Sequence, residues 1–124
     1  MVYVLIFKKE GTMNFYDKVH ELVRSLKDTE EYKNYMELKT KIKGDSVLNE
    51  KITNFRNRQM EYQKQYLNGI DMDDNAKQEM QQLYSLIIQS PLGAAYFQAE
   101  VRLDVLLADM QKIINDGVKD ALDL

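Results

Sequence analysis

The 124-residue sequence contains no cysteine, which excludes disulfides, thiol catalysis and sites that bind a metal or iron–sulfur cluster through thiolates. One proline and five glycines are too few for a collagen-like or mucin-like chain. Long hydrophobic runs are also missing, because the six apolar residues from Val2 to Phe7 fall far short of the about 20 that span a bilayer. With 44% hydrophobic residues, the chain is expected to fold as one domain in the cytoplasm.

Positive charge is scarce as well, with 17 Lys and Arg against 20 Asp and Glu and a net charge of −3. The chain therefore has no global positive field that would gather nucleic acid or an anionic membrane. The charge is uneven, since residues 13–70 carry a net +2 and residues 71–124 a net −6. Opposite signs favour packing of one half on the other, within one chain or between two. Solvated helix faces explain the distribution as well and are the preferred interpretation.

The first twelve residues differ from the rest of the chain. Val2 to Phe7 form a β-prone run, and Lys8 to Thr12 follow it before a second methionine, Met13. Lys-Glu-Gly can be encoded by a purine-rich ribosome-binding sequence, so we expect translation to begin at Met13 and residues 1–12 to be a non-native extension. A genuine edge strand is the alternative. The predicted organisation continues with a single helical domain over residues 13–117 and a short tail over 118–124.

From Met13 onward the apolar residues recur at helical spacing, which predicts five helices. The expected N-terminal caps are polar or acidic residues at Asn14, Asp28-Thr29, Asp45-Ser46, 71–75 and Ser90-Pro91. The expected ends lie near Lys27, Gly44, Asn68-Gly69, Gln89 and Gly117.

Two of these helices carry heptad patterns, in which apolar positions alternate spacings of four and three. The third helix has this pattern at Leu48, Ile52, Phe55, Gln59, Tyr62 and Tyr66, and the fifth at Leu92, Tyr96, Ala99, Leu103, Leu106, Met110 and Ile113. We therefore predict an all-α, bundle-like fold dominated by a long antiparallel helical hairpin. The two long helices are expected to lie side by side, with Ala99 allowing close approach.

Catalytic and metal-binding patterns are weak. Asp71, Asp73 and Asn75 match the first positions of a calcium loop, but Ala76 stands where glycine is needed and Gln82 where a bidentate glutamate is needed. His20, the single histidine, cannot build a metal site or a catalytic triad alone. We predict no enzyme activity, and no catalytic residue, metal, cofactor or small-molecule substrate. A small hydrolase would need two facing carboxylates, for which the sequence offers no candidate pair.

The residues resemble those of the YlbF/YmcA family, closest to its YheA-like branch. The resemblance covers about Met13 to Ile114 and is carried by Glu30-Glu31-Tyr32, Tyr35, Phe55, Gln59 and Ser90-Pro91-Leu92 leading into Tyr96-Phe97, Glu100, Leu103, Leu107 and Ile113-Ile114. It implies a cytoplasmic bacterial protein that self-associates and binds other proteins. Relatives influence competence, sporulation, biofilm formation and messenger RNA processing by an endoribonuclease. They use cysteines for iron–sulfur clusters, so neither the cluster nor the complex it supports carries over to this cysteine-free chain.

We therefore expect a non-catalytic regulatory protein that forms a homodimer and binds an unidentified protein, without contact with a membrane. The expected interaction face consists of aromatic and charged residues at Tyr62, Tyr66, Tyr96, Phe97, Glu100 and Arg102. The alternative is an accessory factor in RNA processing that contacts RNA, or a ribonuclease complex, through Lys39, Lys43, Arg56 and Arg58. Nucleic acid is the less favoured partner, because consecutive members of the set Lys39, Lys41 and Lys43 are separated by about 200° around a helix, as are Arg56 and Arg58. Neither set therefore forms a one-faced basic stripe.

Overall fold

The computed structural model describes residues 10–123. Residues 1–9 of the expected non-native extension, and with them the alternative edge strand at Val2 to Phe7, lie outside the described residues. The described chain contains six helices and no strand. They are α1 (Glu10–Lys27), α2 (Glu30–Lys43), α3 (Ser46–Leu67), α4 (Asp74–Ile88), α5 (Pro91–Gly117) and the short α6 (Lys119–Leu122). The predicted all-α, bundle-like fold is confirmed, with α6 added inside the expected tail.

Side-chain caps set the starts of α2 to α5. In each case an oxygen accepts the backbone N–H three residues ahead, as Thr29 does from Tyr32 at 3.2 Å and Asp73 from Ala76 at 2.7 Å. Asp45 and Ser90 cap α3 and α5 in the same way, and Pro91 occupies the first turn of α5. These caps satisfy N–H groups that have no partner inside the helix, so the four predicted starts are confirmed.

The predicted start of the first helix is wrong. Asn14 does not cap α1 but lies inside it, because the helix begins at Glu10. Residues 10–12 are therefore continuous with α1 in the structure.

The core forms where α2 packs along the N-terminal half of α5 and α3 packs along α4. Its central residues are buried aliphatic and aromatic side chains at Ile42, Leu48, Ile52, Phe55, Ile87, Tyr96 and Phe97. The two long helices, α3 and α5, meet through side chains, since Phe55 packs against Phe97 and Arg56 binds Glu100. The closest backbone packing of the described chain is between α2 and α5 rather than between these two. Ala99 is buried as expected, but it lies on the stripe of α5 that faces α2, because Tyr96 of that stripe stacks on Tyr35.

Burial along the two heptad patterns stops partway. In α3 the buried positions end at Phe55, and Gln59 and Tyr66 are exposed. In α5 they end at Leu103, beyond which Met110 is half-buried and Ile113 is exposed. The molecule therefore has a closed end around the core and an open end formed by α1 and the C-terminal half of α5.

Candidate functional site

Five aromatic side chains from four helices meet in one cluster at the closed end. This aromatic cluster consists of Tyr35, Phe55, Tyr84, Tyr96 and Phe97. The rings of Tyr84 and Phe97 stack almost parallel, with centroids 5.5 Å apart, and Phe55 lies tilted against both. The stack ties α3, α4 and α5 together, while 43% of Tyr84 is left exposed at the surface.

Two ion pairs connect the basic half of the chain to the acidic half. Arg56 of α3 binds Glu100 of α5, and its guanidinium also lies 5.3 Å from the centroid of the Phe97 ring. Arg58 binds Glu79 of α4 at 3.1 Å. The expected packing of oppositely charged halves therefore occurs within the single chain. Lys112 and Asp116, in contrast, pair within one helix on a solvated face.

A pair of tyrosine hydroxyls closes the cluster on the α2 side. The oxygens of Tyr35 and Tyr96 lie 3.1 Å apart, and their rings stack with centroids 5.4 Å apart. Burial and this hydrogen bond raise the pKa of Tyr35 far above its ordinary value of 10.0. The Tyr35 hydroxyl therefore stays neutral, and its hydrogen bond with Tyr96 joins α2 to α5.

An open groove of about 440 Å³ runs along the exposed edge of the cluster. We call it the aromatic groove. Its floor is aromatic and its rim combines aliphatic, amide and charged groups, contributed by Phe55, Arg56, Gln59, Tyr84, Ile88, Ala94, Phe97, Gln98, Glu100 and Val101. Phe97, Glu100 and Val101 share one face of α5 because they are three and four residues apart. The groove offers a fixed apolar surface with polar groups at its edge.

A second groove, of about 350 Å³, lies between the end of α1 and the C-terminal half of α5. We call it the α1–α5 groove. Its lining is almost wholly apolar apart from Ser25, Thr29 and Asp109, and consists of Leu22, Leu26, Leu106, Met110, Ile113 and Ile114 together with those three. It forms the concave part of the open end of the molecule.

The six residues of the predicted interaction face do not form one exposed surface. Tyr96 and Phe97 are buried in the core, which corrects their expected exposure. They turn inward because the apolar stripe of α5 packs against α2 and α3 rather than facing solvent. Of the others, Glu100 is half-buried at the rim of the aromatic groove, and Arg102 is exposed on α5.

The two predicted tyrosines of α3 behave differently from each other. Tyr62 is half-buried and donates a hydrogen bond to Glu79 at 3.0 Å. Partial burial and the hydrogen bond to Glu79 raise the pKa of the Tyr62 hydroxyl. Tyr66, near the end of the helix, is 68% exposed. Tyr62 thus helps attach α3 to α4.

The four residues proposed for RNA contact also differ in their ion pairing and exposure. Arg56 and Arg58 are held by Glu100 and Glu79, so their charges are largely compensated within the chain. Lys39 is half-buried on α2, and Lys43 is exposed at its end. The four do not combine into one basic surface.

The residues of the calcium-loop pattern serve the helix start instead, since the Asp73 carboxylate caps α4. Over residues 10–123, no three His, Asp and Glu side chains are grouped as they would be around a metal ion. His20 lies exposed on α1. No helix in this part of the chain is both long enough and apolar enough to cross a membrane.

Several residues of the aromatic groove were named from the sequence, but their meeting in one groove was not predicted. Arg56 and Glu100 are 44 positions apart, and only the opposite charge of the two halves hinted at their pairing. Nothing in the sequence marked Gln98 and Val101 as functional, because they fall outside the heptad positions of α5. The groove depends on three helices meeting, which helical periodicity alone does not specify.

Comparison with known proteins gives a consistent family match. Residues 15–119 match the family described as control of competence regulator ComK, YlbF/YmcA. A UPF0342 protein of Symbiobacterium thermophilum is 39% identical over 83% of this chain and 92% of its own length. UPF0342 proteins of Alkalihalophilus pseudofirmus and Desulfitobacterium hafniense are 33% and 31% identical, over 86% and 90% of this chain and 91% and 90% of their own lengths.

Proposed function

The chain belongs to the YlbF/YmcA family, and from that premise we propose that it is a non-catalytic regulatory protein that binds another protein through the aromatic groove. It would act as a homodimer in the bacterial cytoplasm. The family description concerns the control of a regulator, and the UPF0342 relatives carry no catalytic name, both of which support regulation by binding.

The observation that carries this proposal is the composition of the aromatic groove. Protein interfaces are enriched in aromatic and arginine side chains at their centre and have polar groups at their rim. The groove has this arrangement, since Tyr84 and Phe97 form the floor and Gln59 and Gln98 lie at the edge. Arg56 and Glu100 already neutralise each other, so a partner would not have to supply a matching charge.

The homodimer is supported by apolar surface at the open end of the molecule. Phe15 of α1 and Ile113 near the end of α5 are more than half exposed, and Val19, Leu22 and Val23 are about 40% exposed. A contiguous apolar surface of this kind on a small protein marks an interaction site. Because it lies away from the aromatic groove, a second copy and a different partner could bind at the same time.

The test compares two valine substitutions that are matched in residue type and exposure. Val101 lines the aromatic groove and Val47 lies near the start of α3, and each is 61% exposed. We expect Val101→Glu to reduce recovery of a specific partner by about tenfold or more in affinity capture from the native bacterium, since it places a charge at an apolar contact. Val47→Glu should capture as much partner as the wild type.

Equal capture by both variants would remove the aromatic groove from the proposal. Recovery of no specific protein by the wild type, under several growth conditions, would contradict regulation by protein binding altogether. Recovery of RNA that is lost steeply with rising salt would instead favour the alternative function in RNA processing.

A further inference from the structure

We propose that α1 is the dimerisation helix and that the α1 of a second copy lies over the α1–α5 groove. This inference rests on the homodimer of the proposed function and specifies the surface through which it forms. The two α1 helices would pair antiparallel about their midpoints, near Val19. The N-terminal half of each would then cover the groove beside the C-terminal half of the other.

The first observation is that α1 is amphipathic but that the rest of residues 10–123 leaves its apolar side exposed. Its apolar residues recur on one side at Phe15, Val19, Leu22, Val23 and Leu26, yet residues 11–25 are all exposed. Its packing on α2 is slight. An isolated helix of this length is only marginally stable in water, and most helices in proteins gain their stability from packing of an apolar face. Packing of its apolar side against another surface would therefore stabilise the 18-residue helix α1.

The second observation is that the C-terminal half of α5 presents a surface of the same kind. Residues 103–117 extend about 22 Å, close to the about 27 Å of α1. Nine large apolar side chains of this open end are 39–71% exposed, namely Met13, Phe15, Val19, Leu22, Val23, Ile113, Ile114, Val118 and Leu122. With roughly 200 Å² on each, they leave on the order of 800 Å² exposed, which is the area that each partner of a stable interface buries.

These features favour a second copy over an unrelated protein as the occupant. One surface carries both an uncovered apolar helix and an apolar groove that a helix can fill, so two identical surfaces complement each other about a two-fold axis. Charge does not decide the occupant, because Asp109 lies in the groove and the half of α1 that would cover it carries both Asp17 and Lys18. The apolar complementarity of the two surfaces is therefore what favours a second copy. An unrelated partner would have to match both parts independently.

The first experiment measures the molar mass of the full chain by light scattering across a dilution series. The wild type should have the mass of two chains. Leu22→Glu and Ile113→Glu should each raise the dimer dissociation constant by about 100-fold or more, since each removes apolar contact and places a charge in the interface. Val47→Glu and Val101→Glu should remain dimeric. Circular dichroism and thermal unfolding verify that every variant keeps its helices.

The second experiment needs no charged substitution and exploits the absence of cysteine. In Val19→Cys the only two thiols of the dimer would lie near the two-fold axis, so a short bismaleimide should join the chains in high yield. Val47→Cys should give little cross-linked product under the same conditions.

The outcomes separate this inference from the function on which it rests. A monomeric wild type would overturn the homodimer and the role of α1 together. A dimeric wild type that stays dimeric with Glu at positions 22 and 113, and that does not cross-link through position 19, would overturn only the role of α1. In that case the second copy must bind elsewhere, and the proposed homodimer stands.

Discussion

The two halves of α5 carry the same apolar spacing but have opposite surroundings. In the first half, Tyr96, Ala99 and Leu103 are buried against neighbouring helices. In the second half, Met110 is only half-buried and Ile113 is exposed, although they continue the same pattern. A heptad pattern therefore identifies the face of a helix that tends to be buried. The length of the neighbouring helices decides how much of that face one chain can bury.

The largest expected difference in the free energy of unfolding comes from truncating one isoleucine to alanine in each region. Ile87 is fully buried at the closed end, and Ile113 is 71% exposed at the open end. We expect Ile87→Ala to lower the free energy of unfolding by about 2–5 kcal/mol, through lost burial and the cavity left behind. Ile113→Ala should change it by less than about 0.5 kcal/mol at concentrations where the chain is monomeric.

Urea unfolding of the two isoleucine variants and the wild type, followed by circular dichroism, provides the measurement. Similar losses in both variants would mean that the two regions are equally packed in the monomer and that the division into a closed and an open end is wrong.

A smaller contrast is expected from adding a methyl group to one glycine in each half of α5. A Cβ on Gly93 would overlap the backbone carbonyl and a side-chain methyl group of Ile87, whereas a Cβ on Gly117 would meet open space. Gly93→Ala should destabilise the protein by about 1–3 kcal/mol because backbone has to shift. Gly117→Ala should be neutral or slightly stabilising, since alanine favours the helix.

Thermal unfolding of the two alanine variants distinguishes these effects. An unchanged melting temperature for Gly93→Ala would show that α4 and α5 can move apart at no cost, and would contradict the tight corner between them.

The smallest contrast is between two ion pairs. Arg56 and Glu100 are partly buried and join α3 to α5, whereas Lys112 and Asp116 lie exposed within one helix. Double-mutant cycles to uncharged residues should give a coupling of about 1–2 kcal/mol for the first pair and about 0.3–0.5 kcal/mol for the second. Equal couplings would mean that solvent reaches both pairs alike, so Arg56 would be free to bind a phosphate or a partner carboxylate.

The parts of the fold that local chemistry determines could be predicted from the sequence. Thr29, Asp45 and Ser90 were expected to cap helices because each side chain needs only its own next turn to do so, and they do. The start of α1 was misplaced because Asn14 is an equally good capping residue by type, and nothing local showed that the helix continues upstream to Glu10.

The parts that depend on which helices meet could not be predicted. Ala99 is buried, and it shares a face of α5 with Tyr96, which stacks on Tyr35 of α2 rather than on α3. Periodicity determines which face of a helix is buried but not which helix covers it. For the same reason Tyr96 and Phe97 were expected on an exposed surface, although they pack inward on Tyr35 and Phe55. The aromatic groove combines residues from three helices, so it became visible only once their packing was known.

The close approach of Gly93 to Ile87 has a consequence for recognition. It fixes the angle between α4 and α5, and Tyr84 and Phe97 stand on either side of that corner. In the proposed complex the stacked rings would therefore be in place before the partner arrives. Little conformational entropy of the groove side chains would be lost on binding. The association rate would then be set by diffusional encounter rather than by rearrangement of this chain.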